Sequence, residues 1–133
     1  MKIIRAEHVT DGTIDQLLTL NPDLDQQLLK TCGYVVDNDG LTAGCFALEQ
    51  VKSDVYWLRQ LQLTPEMAGS VIVLIETVIN MAKEKGAQAL YVHSHQPQVD
   101  TLLTALQFDE TTVTPGDVQA PEQAGKWWIY HIS

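Results

Sequence analysis

An α/β fold, a single domain over residues 1–133 built on an open mixed sheet, is predicted by three observations. The 133-residue length suits one domain with one buried core. Hydrophobic residues at 45% and charged residues at 19% lie in the ordinary globular range, which excludes a disordered or fibrous chain. Segments of strand character alternate with segments of helical spacing, punctuated by Gly and Pro, in the order β-α-α-β-β-β-α-β-α-β-β.

The first strand is read over Lys2 to Ala6. After Asp11-Gly12-Thr13, the residues Ile14, Leu17, Leu18 and Leu20 fall at helical spacing. Pro22-Asp23 is expected to open a second helix carrying Leu24, Leu28 and Leu29, with Asp23 and Asp25 near its positive end and Lys30 near its negative end. Gly33 stops it. A strand from Tyr34, the turn Asp37-Asn38-Asp39-Gly40 and a strand from Leu41 to about Gln50 form a hairpin, because that turn tolerates positive φ.

A further strand is expected over Asp54 to Thr64, with Val55, Trp57, Leu61 and Leu63 on one face and Arg59 interrupting it. Pro65 ends that ladder. Between Ala68 and Gly86 the stripe Val71, Leu74, Ile75, Val78, Ile79 and Ala82 predicts a helix despite its β-branched content, closed by Lys83, Lys85 and Gly86. Ala89 to His95 reads as a strand, parallel to the Asp54 to Thr64 strand through that helix. Pro97 with Leu102, Leu103 and Leu106 makes the last helix, and Phe108 begins a strand. A loop over Pro115 to Lys126 then leads to a closing strand, Trp127 to Ile132.

Seventeen acidic residues against 8 basic ones give a net charge of -9, which repels a phosphate backbone, so no nucleic acid is expected as a partner. The spacing of Cys32 and Cys45 matches neither a metal knuckle nor a redox pair, and two ordinary buried thiols in a reducing cytosol are expected. Glu76 ends the longest aliphatic run, Val71 to Ile75, so no membrane span is expected. The opening residues carry an acid, Glu7, and no cleavage pattern, and the reading is cytoplasmic.

Several segments, in order, resemble the GNAT superfamily of acyl-CoA-dependent N-acyltransferases. Ile3-Ile4-Arg5-Ala6 followed by Asp11 resembles the family's first strand and helix entry, and Leu61-Gln62-Leu63-Thr64-Pro65-Glu66 its fourth strand ending in a Pro-Glu pair. The helix end Met81-Ala82-Lys83-Glu84-Lys85-Gly86 is also similar. So are the strand Ala89-Leu90-Tyr91-Val92-His93 and the helix Leu102 to Gln107, which leads to Phe108 where the family has Gly-Phe. The resemblance covers nearly the whole chain.

It implies acetyl-CoA or another acyl-CoA as co-substrate, with the backbone at Leu61 and Leu63 pairing with its pantetheine amides. N–H groups from Met67, Ala68, Gly69 and Ser70 would meet the pyrophosphate at the start of a helix. The chain departs from the family's Gln/Arg-x-x-Gly-x-Gly/Ala loop: Pro65-Glu66-Met67-Ala68-Gly69-Ser70 is about two residues short, keeps only Gly69 and has no Lys or Arg. Leu103 stands where many members carry a proton-donating tyrosine.

His93 and His95 lie two apart near a strand end, where α/β clefts form, and His93 is the candidate base for an ammonium acceptor. A strand-end histidine bonded to backbone or water is the competing reading. Tyr91 shares its face as a weaker catalytic candidate, or as a core tyrosine with a satisfied hydroxyl. Asp54 and Glu66 bracket the fourth strand as carboxylates able to act directly or through water, or as solvated strand ends. No third ligand joins a His-x-His pair by spacing, so no metal is expected. Trp127, Trp128 and Tyr130 offer an aromatic wall or a homodimer face, although alternation between core and surface explains them more cheaply.

The expected function is acetyl or acyl transfer from acyl-CoA to a small-molecule or peptide amine. Two readings compete with it: a catalytically inactive module of the same fold that binds or regulates, and a structural subunit that assembles through its aromatic strand.

Overall fold

The computed structural model describes residues 1–116, 121 and 124–132. Its order is β1 (Lys2–Arg5), a 3-10 turn (Ala6–His8), α1 (Asp11–Leu20), α2 (Gln26–Cys32), β2 (Gly33–Asn38), β3 (Leu41–Lys52) and β4 (Val55–Leu63). A second 3-10 turn (Pro65–Ser70), α3 (Val71–Glu84), β5 (Ala89–Ser94), α4 (Pro97–Ala105), β6 (Asp109–Thr111) and β7 (Lys126–His131) follow. Apart from the 3-10 turns, this is the predicted order. The loop read over 115–126 lies partly outside the described residues.

The described strands form one seven-stranded sheet in the order β1-β2-β3-β4-β5-β7-β6. β4 and β5 run parallel, Val55 to Leu58 pairing with Ala89 to Val92, whereas β1–β2, β2–β3, β5–β7 and β6–β7 are antiparallel. The parallel pair needs a long crossover, which α3 supplies. The contacts gather the chain into two compact units. One comprises residues 1–48 and 59–71, the other residues 49–58 and the chain from Ile72 onward.

In the first unit, Ala6, Ile14, Leu17, Leu24, Leu29, Val35 and Cys45 form a buried cluster that joins α1 and α2 to the strands. Of the α1 stripe, Ile14 and Leu17 are buried, Leu18 is half-buried and Leu20 is exposed, and α2 starts at Gln26 rather than at Pro22. The Asn21 side chain accepts the Asp23 N–H at 3.1 Å and holds that stretch as a turn, and Asp25 caps the helix by accepting the Leu28 N–H at 3.0 Å. The β2–β3 turn is as read: Asn38 pairs with Leu41, leaving Asp39 (φ 53) and Gly40 (φ 84) as a two-residue left-handed loop.

In the second unit, strand alternation sorts the side chains onto two faces. Trp57, Tyr91 and Ile129 form one cluster, with Val51, Val55, Ala89 and Trp127 packed against it. Tyr56, Leu58, Leu90, Val92 and Trp128 are buried on the other face, where the Trp128 indole donates to Asp100 of α4 at 3.0 Å. Trp127 therefore does not share a wall with Trp128 and Tyr130. Leu74, Ile75, Val78 and Ala82 of α3 are buried too.

The second 3-10 turn and α3 together give a 20-residue helical run, Pro65–Glu84, that meets the length and composition of a membrane span. The five-residue aliphatic run in the sequence did not register this. One face of α3, at Leu74, Ile75, Val78 and Ala82, is buried, and 22% of the most apolar stretch of the run is buried in all.

β4 is held close to β3 at Gly44. A Cβ there would lie 2.1 Å from the Gln62 carbonyl oxygen, and the Thr64 N–H donates to the Ala43 carbonyl at 2.8 Å. At Gly69 an added Cβ meets open space. Gly44→Ala is therefore expected to lower stability by about 3 kcal/mol in urea unfolding, and Gly69→Ala by less than about 1 kcal/mol. Equal losses would contradict the close approach of β4. Burial pushes the Cys45 thiol up to about 12, so it should resist alkylation in the native protein and react on unfolding, as mass spectrometry of labelled protein will show.

Candidate functional site

In the first unit the site is built on the second half of β4. β5 pairs with β4 only as far as Leu58, and β4 continues through Arg59 to Leu63 with β3 as its neighbour. Gln60 interrupts this strand with φ 56, the left-handed region that a non-glycine residue enters at a cost of about 1–2 kcal/mol. Two contacts hold it there. Its side-chain oxygen accepts the Asp25 N–H at 3.3 Å, and its carbonyl accepts the Cys45 thiol at 3.6 Å. The raised Cys45 pKa keeps that thiol protonated and able to donate.

The left-handed residue corrects one expectation. Strict alternation placed Leu61 and Leu63 on the face of Val55 and Trp57, but a bulge-like kink at Gln60 breaks the two-residue repeat. Leu61, Gln62 and Leu63 are all half-buried. Over Arg59–Leu63 no second strand among the described residues continues the β5 ladder, so β4 offers a backbone edge to a ligand bearing amides.

Immediately beyond, Pro65–Ser70 winds as a 3-10 turn and runs directly into α3. The expected cradle of Met67, Ala68, Gly69 and Ser70 is therefore partly closed. The Met67 N–H donates to the Thr64 carbonyl at 2.9 Å, and the Val71 N–H to that of Ala68. Hydrogen-bond geometry in 3-10 turns is poor, so presenting these N–H groups to an anion requires only a loosened turn. Glu66 is exposed and the turn contains no cation.

In the second unit, Tyr91 and His93 sit on the aromatic face of β5. The Trp127 ring contacts Trp57 at 5.0 Å, Tyr91 at 6.2 Å and His93 at 5.0 Å between centroids. Tyr91 is buried, the core reading, whereas His93 is half-buried. Burial lowers the His93 pKa from 6.5, and the charge of His95 lowers it further. At neutral pH the ring is unprotonated and can accept a proton.

β5 ends at Ser94, so His95 lies just outside the strand and is exposed. The buried Ser94 hydroxyl makes that turn by donating to the Gln96 carbonyl at 3.1 Å. Gly125 passes so near that a Cβ would come within 2.8 Å of His93 Cε1.

Other candidates have structural places. Asp54 stands just before β4, where its main-chain carbonyl accepts the N–H groups of Gln88 and Ala89, contacts that do not involve its carboxylate, and outside the candidate residues Lys126 pairs with Glu110 at 3.2 Å. Leu103 is fully buried in α4 and supplies no acid. Among the described residues no three His, Cys, Asp or Glu side chains gather as a metal site. Sequence reasoning missed Gln60, because glutamine carries none of the signals that mark a left-handed position.

No protein-family model matches the chain, and no curated protein sequence matches it. Solved structures do. The N-acetylglutamate synthase of Neisseria gonorrhoeae, complexed with coenzyme A and N-acetyl-glutamate, superposes with a TM-score of 0.81 at 16% identity, covering 99% of this chain and 35% of that one. This chain thus spans about a third of the synthase. A Bacillus subtilis acetyltransferase in complex with CoA gives 0.77 at 15% identity, covering 99% of each chain. The Campylobacter jejuni N-acetyltransferase PseH with acetyl coenzyme A gives 0.75 at 12%, again covering 99% of each. The chain therefore has the fold that these acetyltransferases share.

Proposed function

We propose that the chain is an acyl-CoA-dependent N-acyltransferase, with acetyl-CoA as the first co-substrate to try and a small-molecule or peptide amine as acceptor. The observation that carries this reading is the interrupted fourth strand, where Gln60 turns left-handed and the Leu61–Leu63 backbone continues past the end of the β5 ladder. The structural relatives solved with CoA or acetyl coenzyme A support it. Amides of the pantetheine arm would pair with Leu61 and Leu63, and the pyrophosphate would lie at Met67 to Ser70 once that turn loosens.

The reaction needs a neutral amine. The amine nitrogen attacks the thioester carbonyl carbon and gives up a proton, and His93 of the second unit, unprotonated at neutral pH, is our candidate acceptor, directly or through water. The new C–N bond forms, the C–S bond breaks and the departing thiolate recovers a proton from solvent. Leu103 offers none, so orientation of amine and thioester supplies much of the acceleration. The net charge of -9 favours a cationic acceptor through steering.

A second reading, a module that keeps the fold without catalysis, is favoured by the cation-free turn, the exposed Glu66 and the buried Leu103. Titration calorimetry with acetyl-CoA, followed by an assay of thiol release with an amine panel, separates the two. CoA binding with no turnover supports the module.

Gly69→Asp should weaken CoA binding by about fivefold or more, because it sets a carboxylate where phosphate approaches, whereas Lys126→Ala should leave it unchanged. Equal effects would place the co-substrate elsewhere. His93→Ala should slow transfer by about 10²-fold, and Tyr91→Phe should cost less. The acidic limb of the wild-type rate profile should fall below about pH 6.5 and move upward in His95→Ala, since that removes the smaller of the two causes lowering the His93 pKa. A limb that stays fixed in His95→Ala and survives His93→Ala would remove the role.

A further inference from the structure

The two long-helix endings in the second unit are the same motif closed by different residues. After α3, the Gly86 N–H donates to the Lys83 carbonyl and that of Ala87 to Ala82, with Gly86 at φ 86. After α4, the Gln107 N–H donates to Thr104 and that of Phe108 to Leu103, with Gln107 at φ 74. Glycine enters this region freely, and glutamine does not. The chain places a strained side chain where its own other helix uses glycine.

That side chain lines a cavity of about 370 Å³, open to solvent. Glu76, Ile79 and Asn80 of α3, Leu106 and Gln107 at the end of α4, and Tyr130 of β7 form its wall. The volume falls in the small-molecule range, in an open site none of whose lining residues is buried. Its lining carries one carboxylate, two carboxamides and a phenol beside the aliphatic Ile79 and Leu106. Among the described residues no cation pairs with Glu76, and no side chain accepts or donates at the amides of Asn80 and Gln107. Glu76, Asn80 and Gln107 are exposed and meet solvent there, so the left-handed backbone retained at Gln107 is the feature that singles this cavity out.

We infer that this cavity binds a small organic cation, of the alkylguanidinium or alkylammonium class, with Glu76 as its counter-charge and Gln107 as its hydrogen-bonding partner. The aliphatic stem lies on Ile79 and Leu106, and the charged end meets the carboxylate. The site shares no residue with β4, the Pro65–Ser70 turn or His93, so it stands whether or not the acyltransferase reading holds.

Protein-observed NMR titration with n-butylguanidinium, without acyl-CoA, tests the inference; n-butanol and butyrate serve as controls. The cation should saturate, shifting Glu76, Gln107 and Tyr130 resonances, and bind at least about fivefold more tightly than either control. Glu76→Gln should abolish that preference. Gln107→Gly should weaken binding by about fivefold while leaving the thermal midpoint unchanged or raised, the combination a purely structural glutamine would not produce. His93→Ala should bind the probe as wild type does. Equal binding to wild type and Glu76→Gln, loss only in His93→Ala, or no saturable binding would overturn the inference.

Discussion

The left-handed backbone at Gln60 is the constraint on which the first unit depends. A strand of nine residues, Val55–Leu63, would ordinarily keep one alternation from end to end, with each side chain assigned to a face by parity. Gln60 breaks that order, and its two polar contacts make the break specific: one reaches the cap residue of α2 and the other the thiol of β3. The entry to α2 and the course of β4 are thereby tied together by a single residue. Gly44 then allows β4 to close on β3 beyond the kink, where any larger residue would meet the Gln62 carbonyl.

The second unit depends on alternation being kept. Trp57, Tyr91 and Ile129 stand in register across β4, β5 and β7, and Trp127 packs onto them from two positions earlier in its strand. His93 belongs to the same row, which explains both its ring contact with Trp127 and the burial that lowers its pKa. On the opposite face, the indole of Trp128 is anchored by Asp100 and the ring of Tyr130 lies 5.3 Å from Phe108. One strand of alternating aromatic residues thus serves two faces, and a single aromatic wall is the wrong description.

Much of the fold was legible because its signals are local. The Asp39-Gly40 turn, the Gly86 stop and the helical stripe of α3 each rest on a few adjacent residues, and the parallel β4–β5 pair follows from the helix between them. The missed features have local sequences that point elsewhere or nowhere. Pro22 suits a first helical position, but the Asn21 side chain holds a turn and Asp25 provides the stronger cap. Gln60 has no left-handed signature, and its conformation comes from partners 15 and 35 residues away. The Pro65–Ser70 segment was legible as a connection ahead of a helix. Its 3-10 winding, and the consequent use of the Met67 N–H within the turn, were not.

The central claim is that an acyl-CoA lies along the Leu61–Leu63 backbone and against the Pro65–Ser70 turn. Amide hydrogen exchange measured with and without saturating CoA tests it most directly, since backbone groups that pair with a ligand exchange more slowly. The account predicts new protection in peptides spanning residues 61–71, with the cavity wall around Glu76 and Gln107 unchanged. Saturable CoA binding with no protection between Leu61 and Val71 would contradict it.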